Sequence, residues 1–571
     1  MSEQVTAGDI AAAFLERCGV EHAFGVISIH NMPILDAIAR RGKIEFVPAR
    51  SEGGAVNMAD ANARVRGRLG VAVSSTGTAA GNACGAIVEA MTAGTPLLHL
   101  TGQIDSPHLD RQKGFLHEAP DQLGMLGAAG KAAFRVWSAE TMLGTLREAV
   151  RLACTPPCGP VSVEIAIDIQ AATVPMPVNL DPLPVRVPAP DEGAVDALAA
   201  ALANKKRVML WLGGGARGAV DEVARLVNLG MGVVTSVQGR GVLPGDDDMS
   251  LGAFNLQPAI EEFYGTCDAM VVVGSRLRSN ETLTYSLKLP KPLFQIDADP
   301  AADGRAYPVD MFVCGDAAQT LELLADRLKG KFKADKAFGN DIRAARGKAE
   351  EGLRKTLGPY NGLLDEVLAA VPRDFVWVRD ITLSNTIWGN RLPPLDGPRD
   401  GVHALGGGIG QGLPMAVGAA LAVRGKDDDG KNRKTLLLAG DGGFSVTLGE
   451  LATAKQENAD IAILLMNDGG YGVIKNIQDA KYGGRNVYVD ILGPDWGMLC
   501  DSLGIPHWGV TDTRELGGIL KQAFDAEGPA LIEIDMKAIG PFAQAFAGPP
   551  GRAKAAEDAD AGAAGGGKAD A

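Results

Sequence analysis

Short apolar runs recur along this chain, each closed by glycine or a small polar residue and followed by an Ala-rich amphipathic stretch. Within residues 1–175, KIEFVPA, LGVAVSS and TPLLHLTG read as strands, and helical patterns cover 7–18, 52–65 and 79–93. The same rhythm returns over 191–330 with KRVMLWLGGGA, AMVVVGS and PLFQIDAD. A third stretch, 358–545, carries DFVWVRD, KTLLLAGDGG, DIAILLMND and PALIEID as strands, with a helix expected over Val446 to Gln456. Strand alternating with helix throughout predicts an α/β protein of three doubly wound parallel-sheet domains. Between the first two, Val174 to Pro190 is too rich in proline to join a ladder and is expected to be an extended linker. A Lys-rich helical stretch over roughly 331–357 bridges to the third, and the tail 548–571 is of low complexity and expected to be disordered.

Composition narrows the function. The 571 residues include 55 Lys and Arg against 69 Asp and Glu, a net charge of -14 that argues against nucleic-acid binding. At 46% hydrophobic and 22% charged the chain has the balance of a soluble globular protein, and with 5% aromatics its core must be built mostly from Ala, Val, Leu and Ile. The N-terminus lacks a basic stretch followed by an apolar one, and no run of 18 apolar residues occurs. No membrane association is expected, and a cytoplasmic enzyme is. The seven cysteines are scattered, and Cys154-Thr-Pro-Pro-Cys158 fits neither a zinc knuckle nor a redox motif, so all are read as reduced thiols.

The sharpest chemical signal lies in the third stretch. Strand LLLAG ends in Gly440-Asp441-Gly442-Gly443, and strand IAILLMN ends in Asn467-Asp468, one strand–helix–strand crossover later. That spacing brings two acidic turns to the carboxyl edge of neighbouring strands, where open α/β sheets bind ligands. Glycines let the backbone approach a diphosphate, and a carboxylate with a second oxygen ligand can hold Mg²⁺ against it. A lone GDG is a common turn; GDG with Asn-Asp at this offset is specific.

On these motifs the chain resembles the thiamine diphosphate (ThDP) enzymes, in particular the acetolactate synthase-like branch of decarboxylases and carboligases, over roughly residues 1–545. The resemblance implies metal ligands at Asp441, at Asp468 (where the family usually has Asn) and at the backbone carbonyl of Gly470. It implies cofactor contacts at Gly440, Gly442, Gly443 and Tyr471, and at Thr382 and Ser384, whose hydroxyls equally suit helix caps. Gly406 to Pro414 resembles the turn carrying the apolar wedge that bends ThDP, with Ile409 as the wedge beside Gly408; a buried strand-end Ile is the plain alternative. Arg50-Ser51-Glu52-Gly53-Gly54-Ala55 resembles the segment of the catalytic glutamate. Glu52 would then hydrogen-bond the aminopyrimidine so that its imino group can take the C2 proton, although read alone it is a first-turn carboxylate favoured by the helix dipole. Asn82, ending the turn Ser74 to Asn82, is a further implied contact.

His30, His117 and Gln103 are the candidates for proton handling on the substrate side. His30 stands about where benzaldehyde lyase carries an active-site histidine, and His117 takes the glutamine position of the synthase segment F-Q-E-T-P. The resemblance implies a carboligase acting on 2-oxo acids or related carbonyls. A 2-oxo acid decarboxylase, a benzaldehyde lyase-like enzyme, a ring-dione hydrolase and, more distantly, a silent regulatory homologue are alternatives. It further implies a homodimer or dimer of dimers (a homotetramer), and makes the central domain a candidate for FAD or ADP, although Gly213-Gly214-Gly215 lacks the full dinucleotide fingerprint.

Overall fold

A computed structural model describes residues 3–425 and 433–548, and within them the three α/β stretches form three parallel sheets. The first has six strands, β1 (His22–Gly25), β2 (Glu45–Pro48), β3 (Gly70–Ser74), β4 (Leu97–Gln103), β5 (Ala132–Val136) and β6 (Pro160–Ala166), in the order β2-β1-β3-β4-β6-β5. The second orders β7 (Val208–Leu212), β8 (Gly232–Thr235), β9 (Ala269–Val273), β10 (Leu293–Asp297) and β11 (Met311–Cys314) as β8-β7-β9-β10-β11. The third comprises β12 (Val376–Arg379), β13 (Gly401–His403), β14 (Thr435–Gly440), β15 (Ile461–Asn467), β16 (His507–Val510) and β17 (Ala530–Asp535), ordered β13-β12-β14-β15-β17-β16. The first and third sheets therefore repeat one connectivity. Their central strands are hidden on both faces, so β4 and β6 are buried from end to end.

Two helices weld the first and third domains together. Helix α1 (Glu52–Arg66) follows β2, and α2 (Thr78–Ala93) follows β3. In the third domain α3 (Gly412–Val423) follows β13, while α4 (Asp441–Val446) and α5 (Glu450–Gln456) follow β14. All of α3 and residues 54–65 of α1 are buried, and Ala55, Met58, Leu413 and Val417 share one core. The contact is close because Gly418 has no side chain: an added Cβ would stand 2.0 Å from the Met58 carbonyl oxygen. Asn62 donates from Nδ2 to the Gly418 carbonyl at 3.1 Å. Near the end of α1, Arg64 donates to the carbonyl of His403, which ends β13, at 2.7 Å. Past the end of α3, Arg424 pairs with Glu45 at the start of β2 at 3.3 Å. The helices thus run in opposite directions, and Glu52 and Gly412 stand at opposite ends of the pair. A helix of 15 residues such as α1 separates them by about 22 Å.

Three expectations need correction. The linker does begin in a ladder: Thr173, Val174 and Pro175 pair antiparallel with Thr6, Val5 and Gln4. Pro175 ends that short strand, where its missing N–H breaks no further bond. The helix expected over Val446 to Gln456 is broken between α4 and α5, because Thr447 turns its hydroxyl to the Gly410 carbonyl at 2.7 Å. The bridging helix occupies Phe338–Arg354 rather than all of 331–357. Beyond Gly548, the tail lies outside the described residues. No helix among the described residues is long and apolar enough to cross a membrane.

Candidate active site

At the carboxyl edge of the third sheet, Gly440 closes β14 in extended conformation and α4 begins at Asp441. The amide of Asp468 donates to Asp441 Oδ1 at 3.3 Å, which brings the two carboxyl groups face to face. Burial pushes the Asp441 carboxyl up; burial and then the facing Asp441 push Asp468 up to about 7. Glycines make room around the pair. An added Cβ would stand 2.7 Å from the Gly470 carbonyl oxygen at Gly442, and 1.9 Å from Asp468 Oδ2 at Gly472. The Tyr471 ring lies against Gly442, 2.8 Å from that added Cβ. Among the described residues no cluster of three His, Cys, Asp or Glu side chains is set to hold a metal. Two mutually repelling carboxylates with a backbone carbonyl close by are nonetheless an oxygen donor set that suits Mg²⁺.

The Ile409 turn is held against this corner. Asp380, fully buried after β12, accepts from the Gly410 amide at 3.2 and 3.1 Å and from Ile381 at 2.7 Å. Burial pushes its carboxyl up to about 6, while the Ile381 and Gly410 to Gly412 amides pull the other way. Gly410, at φ +79, leaves no room for a side chain, since its Cβ would stand 2.6 Å from Val446 and 2.9 Å from the Gly443 carbonyl. Gly408 lies over the Gln411 amide, and Ile409 is 40% exposed. Thr382 accepts the Ser384 amide at 3.0 Å and lies beside Gly440. Ser384 Oγ, Asn385 Oδ1 and Gln411 Oε1 are buried without a hydrogen-bond partner. Orphaned polar atoms are costly in a folded interior, and their concentration here fits a polar ligand such as a diphosphate. His403 is half-buried, its Nδ1 3.2 Å from Asn385, and desolvation holds its imidazole neutral.

The first domain supplies a second half. Glu52 opens α1, half-buried, and accepts from Asn82 Nδ2 at 3.1 Å. His30 is buried in a short 3-10 turn, with its Nδ1 3.5 Å from Ser75 Oγ. The ring of exposed His117 meets it edge to face, centroids 5.5 Å apart. Burial, then His117, lowers the His30 pKa, so that ring is neutral at pH 7. His117 is held at φ +68, with its carbonyl oxygen where a Cβ on Gly77 would fall, 2.0 Å away. Gln103 accepts from the Ile104 amide and the Thr76 hydroxyl, both at 2.8 Å. Sequence reasoning missed what anchors it. Gln122 takes the Gly77 amide at 2.6 Å, and Gln103 and Gln122 both donate to Glu164, at 3.4 and 3.1 Å. A charged residue inside the apolar run VSVEIA was the available signal for Glu164.

The structure therefore gathers Thr382, Ser384, Gly408, Ile409, Gly440, Asp441, Gly442, Gly443, Asp468, Gly470 and Tyr471 at one edge. Glu52 with Asn82, and His30 with His117 and Gln103, belong to the carboxyl edge of the other sheet, about a helix length away in the same chain. Between the first and central domains lies a further cavity of about 400 Å³, reached by Gly214, Gly215, Gly274, Arg217 and Arg276. Burial lowers Arg217 to about 9; its Nε donates to the Gln238 carbonyl at 2.8 Å rather than to a carboxylate.

Comparison with known proteins agrees with this layout. Residues 5–125 match the thiamine pyrophosphate enzyme N-terminal TPP binding domain, 195–324 the central domain and 384–534 the C-terminal TPP binding domain. The chain is 32% identical over 543 residues to a probable 2-ketoarginine decarboxylase of Pseudomonas aeruginosa, covering 93% of this chain and 94% of that one. It is 27% identical over 558 residues to the acetolactate synthase large subunit of Haemophilus influenzae, covering 94% of each. It is 25% identical over 552 residues to the chloroplastic acetolactate synthase 2 of Nicotiana tabacum, covering 92% of this chain and 81% of that one.

Proposed function

The chain belongs to the thiamine pyrophosphate enzyme family, and from that premise we propose that it is a ThDP- and Mg²⁺-dependent decarboxylase of 2-oxo acids. ThDP, when bound, would supply a nucleophilic carbon and an electron sink for loss of CO₂. In this reading Asp441, Asp468 and the Gly470 carbonyl hold Mg²⁺. Thr382, Ser384 and the turn Gly440, Gly442 and Gly443 hold the diphosphate, and Gly408, Ile409 and Tyr471 meet the rings. Glu52, aligned by Asn82, holds a proton at the aminopyrimidine N1′.

One observation carries decarboxylation in particular. The proton that replaces CO₂ must reach the former carbonyl carbon, and exposed His117 touching buried His30 offers a path from solvent to that carbon. Gln103, held through its amide oxygen by Thr76 and Ile104 and through its amide nitrogen by Glu164, braces this corner of the first domain. Acetolactate synthase-like ligation is the second reading, supported by likeness along nearly the whole chain.

Because Glu52 and Ile409 stand at opposite ends of α1 and α3, each site needs two copies of the chain, giving a homodimer or a dimer of dimers. Ile409 at 40% and Ile29 at 67% exposure provide apolar surface for that interface to cover. The arginine-lined central cavity is proposed to take a nucleotide diphosphate such as FAD or ADP. Seven free thiols suit a reducing cytoplasm.

The test incubates the protein with ThDP, Mg²⁺ and a panel of pyruvate, 2-ketoarginine, branched 2-oxo acids and benzoylformate. CO₂ is measured and products are identified by mass. One aldehyde per CO₂ supports decarboxylation, and a joined product with no free aldehyde supports ligation. No CO₂ from any member overturns both.

A further inference from the structure

Two buried glutamates outside the expected site face each other's domains. Glu450, the first residue of α5, and Glu89, late in α2, are each 1% exposed. Glu450 accepts from the Arg50 amide, 3.2 Å from each carboxylate oxygen, and from the Ser51 hydroxyl at 3.0 Å. Ser51 is the N-cap of α1, its Oγ accepting the Gly54 amide at 3.0 Å. A serine hydroxyl has one proton; giving it to Glu450 turns the oxygen's lone pairs toward Gly54, so the carboxylate sets the cap. Glu52 is the next residue. Gly54 is a poor helix former, but its Cβ would stand 2.1 Å from Glu450 Oε1, so the contact requires glycine.

Glu89 does the same in the other direction. It accepts from the amides of Leu405 at 2.7 Å and Gly406 at 2.5 Å, and a Cβ on Gly406 would stand 2.7 Å from its Oε2. Those two residues open the turn that carries Ile409. In each domain the carboxylate comes from the helices after the third strand, and it clamps the turn after the second strand of the other. Arg64 on Glu89 at 3.0 Å and Thr453 on Glu450 at 2.7 Å occupy the remaining acceptor positions.

We propose that Glu450 and Glu89 are a reciprocal pair of positioning residues, Glu450 fixing the helix start that presents Glu52 and Glu89 fixing the turn that presents Ile409. The proposal rests on the reading of Glu52 as the ThDP-facing carboxylate. A carboxylate is needed because the donors converge, whereas a glutamine of the same shape would aim its own N–H groups at them.

The experiment uses the full chain. In cofactor-free E450Q, amide hydrogen exchange read by mass spectrometry should speed up about ten-fold across residues 50–56, with the β14 and α4 peptides unchanged. With ThDP and Mg²⁺ bound, deuterium exchange at ThDP C2 should slow by about 10- to 100-fold at unchanged ThDP affinity, the size expected of a misplaced catalytic group. E52Q should slow C2 exchange without loosening 50–56, and the double variant should be no slower than E52Q, since both act through one group. Unchanged amide and C2 exchange in folded E450Q overturns the proposal. So does a double variant slowed by the product of the two single effects, which would mark Glu450 as merely structural. If E450Q does not fold, G54A, which displaces the carboxylate without removing it, must produce the same two changes or the proposal falls. Undiminished C2 exchange in E52Q instead overturns the reading of Glu52, whatever the 50–56 amides do.

Discussion

Replacing Asp380 with asparagine tests how the Ile409 turn is held. The wild-type carboxyl is fully buried under backbone amides, and burial outweighs their bonds, raising it from the ordinary 3.8 to about 6. A carboxyl raised in the folded state favours folding while it is protonated. That contribution is complete below pH 3.8 and is lost as pH climbs through about 6. At about 1.4 kcal/mol per pH unit the interval is worth about 3 kcal/mol. D380N does not titrate there, so its stability relative to wild type should improve by about 3 kcal/mol between pH 4 and pH 7. Taking the difference cancels the other carboxylates, which titrate in both proteins. The assay is urea unfolding of the cofactor-free protein followed by tryptophan fluorescence. Trp377 and Trp388 are buried beside this segment with rings 6.2 Å apart, so they report on it. A difference that stays flat across that range would refute the claim that burial dominates at Asp380. At pH 8 the variant also turns amide hydrogens toward the Gly410 amide, so half-saturation by ThDP should need more cofactor.

Asp468→Asn should leave the loaded enzyme active but raise the Mg²⁺ needed for half-loading several-fold, because one of two facing charges is gone. A variant that binds no ThDP at any Mg²⁺ concentration would remove Asp468 from the ligand set. Gly418→Ala should destabilise by about 1–3 kcal/mol in a thermal melt, as its Cβ falls 2.0 Å from the Met58 carbonyl; an unchanged melt would mean the helix crossing yields freely. Sedimentation should find activity in dimers or larger, and an active monomer would contradict the two-chain site.

Much of this was legible in the sequence where burial leaves a local mark. Strands β14 and β15 are apolar over residues 436–439 and 461–466 because both their faces are covered, and the acidic turns follow them directly. The anchors were not legible. Asp380 bonds an amide 30 residues away, and Glu450 one 400 residues away, so neither leaves a spacing to read. The break between α4 and α5 escaped for a related reason. Thr447 answers to the Gly410 carbonyl and Gly449 lies against Arg50, both tertiary demands that override a good helical pattern. His30 and His117 were nameable singly, but their contact depends on a left-handed residue in a loop, which periodicity does not foretell.

The crossing of α1 and α3 also sets a timetable for synthesis. Asn62 must wait for Gly418, 356 residues later, before its amide finds that carbonyl. At about 5–20 residues per second, a ribosome takes roughly 20–70 s to supply the missing partner. Throughout that interval α1, built to be hidden on every side, has one flank open to water. The nascent first domain is thus a sticky intermediate, and a chaperone that shelters the alanine-rich flank of α1 should raise the yield of folded chain more than one acting on the central domain.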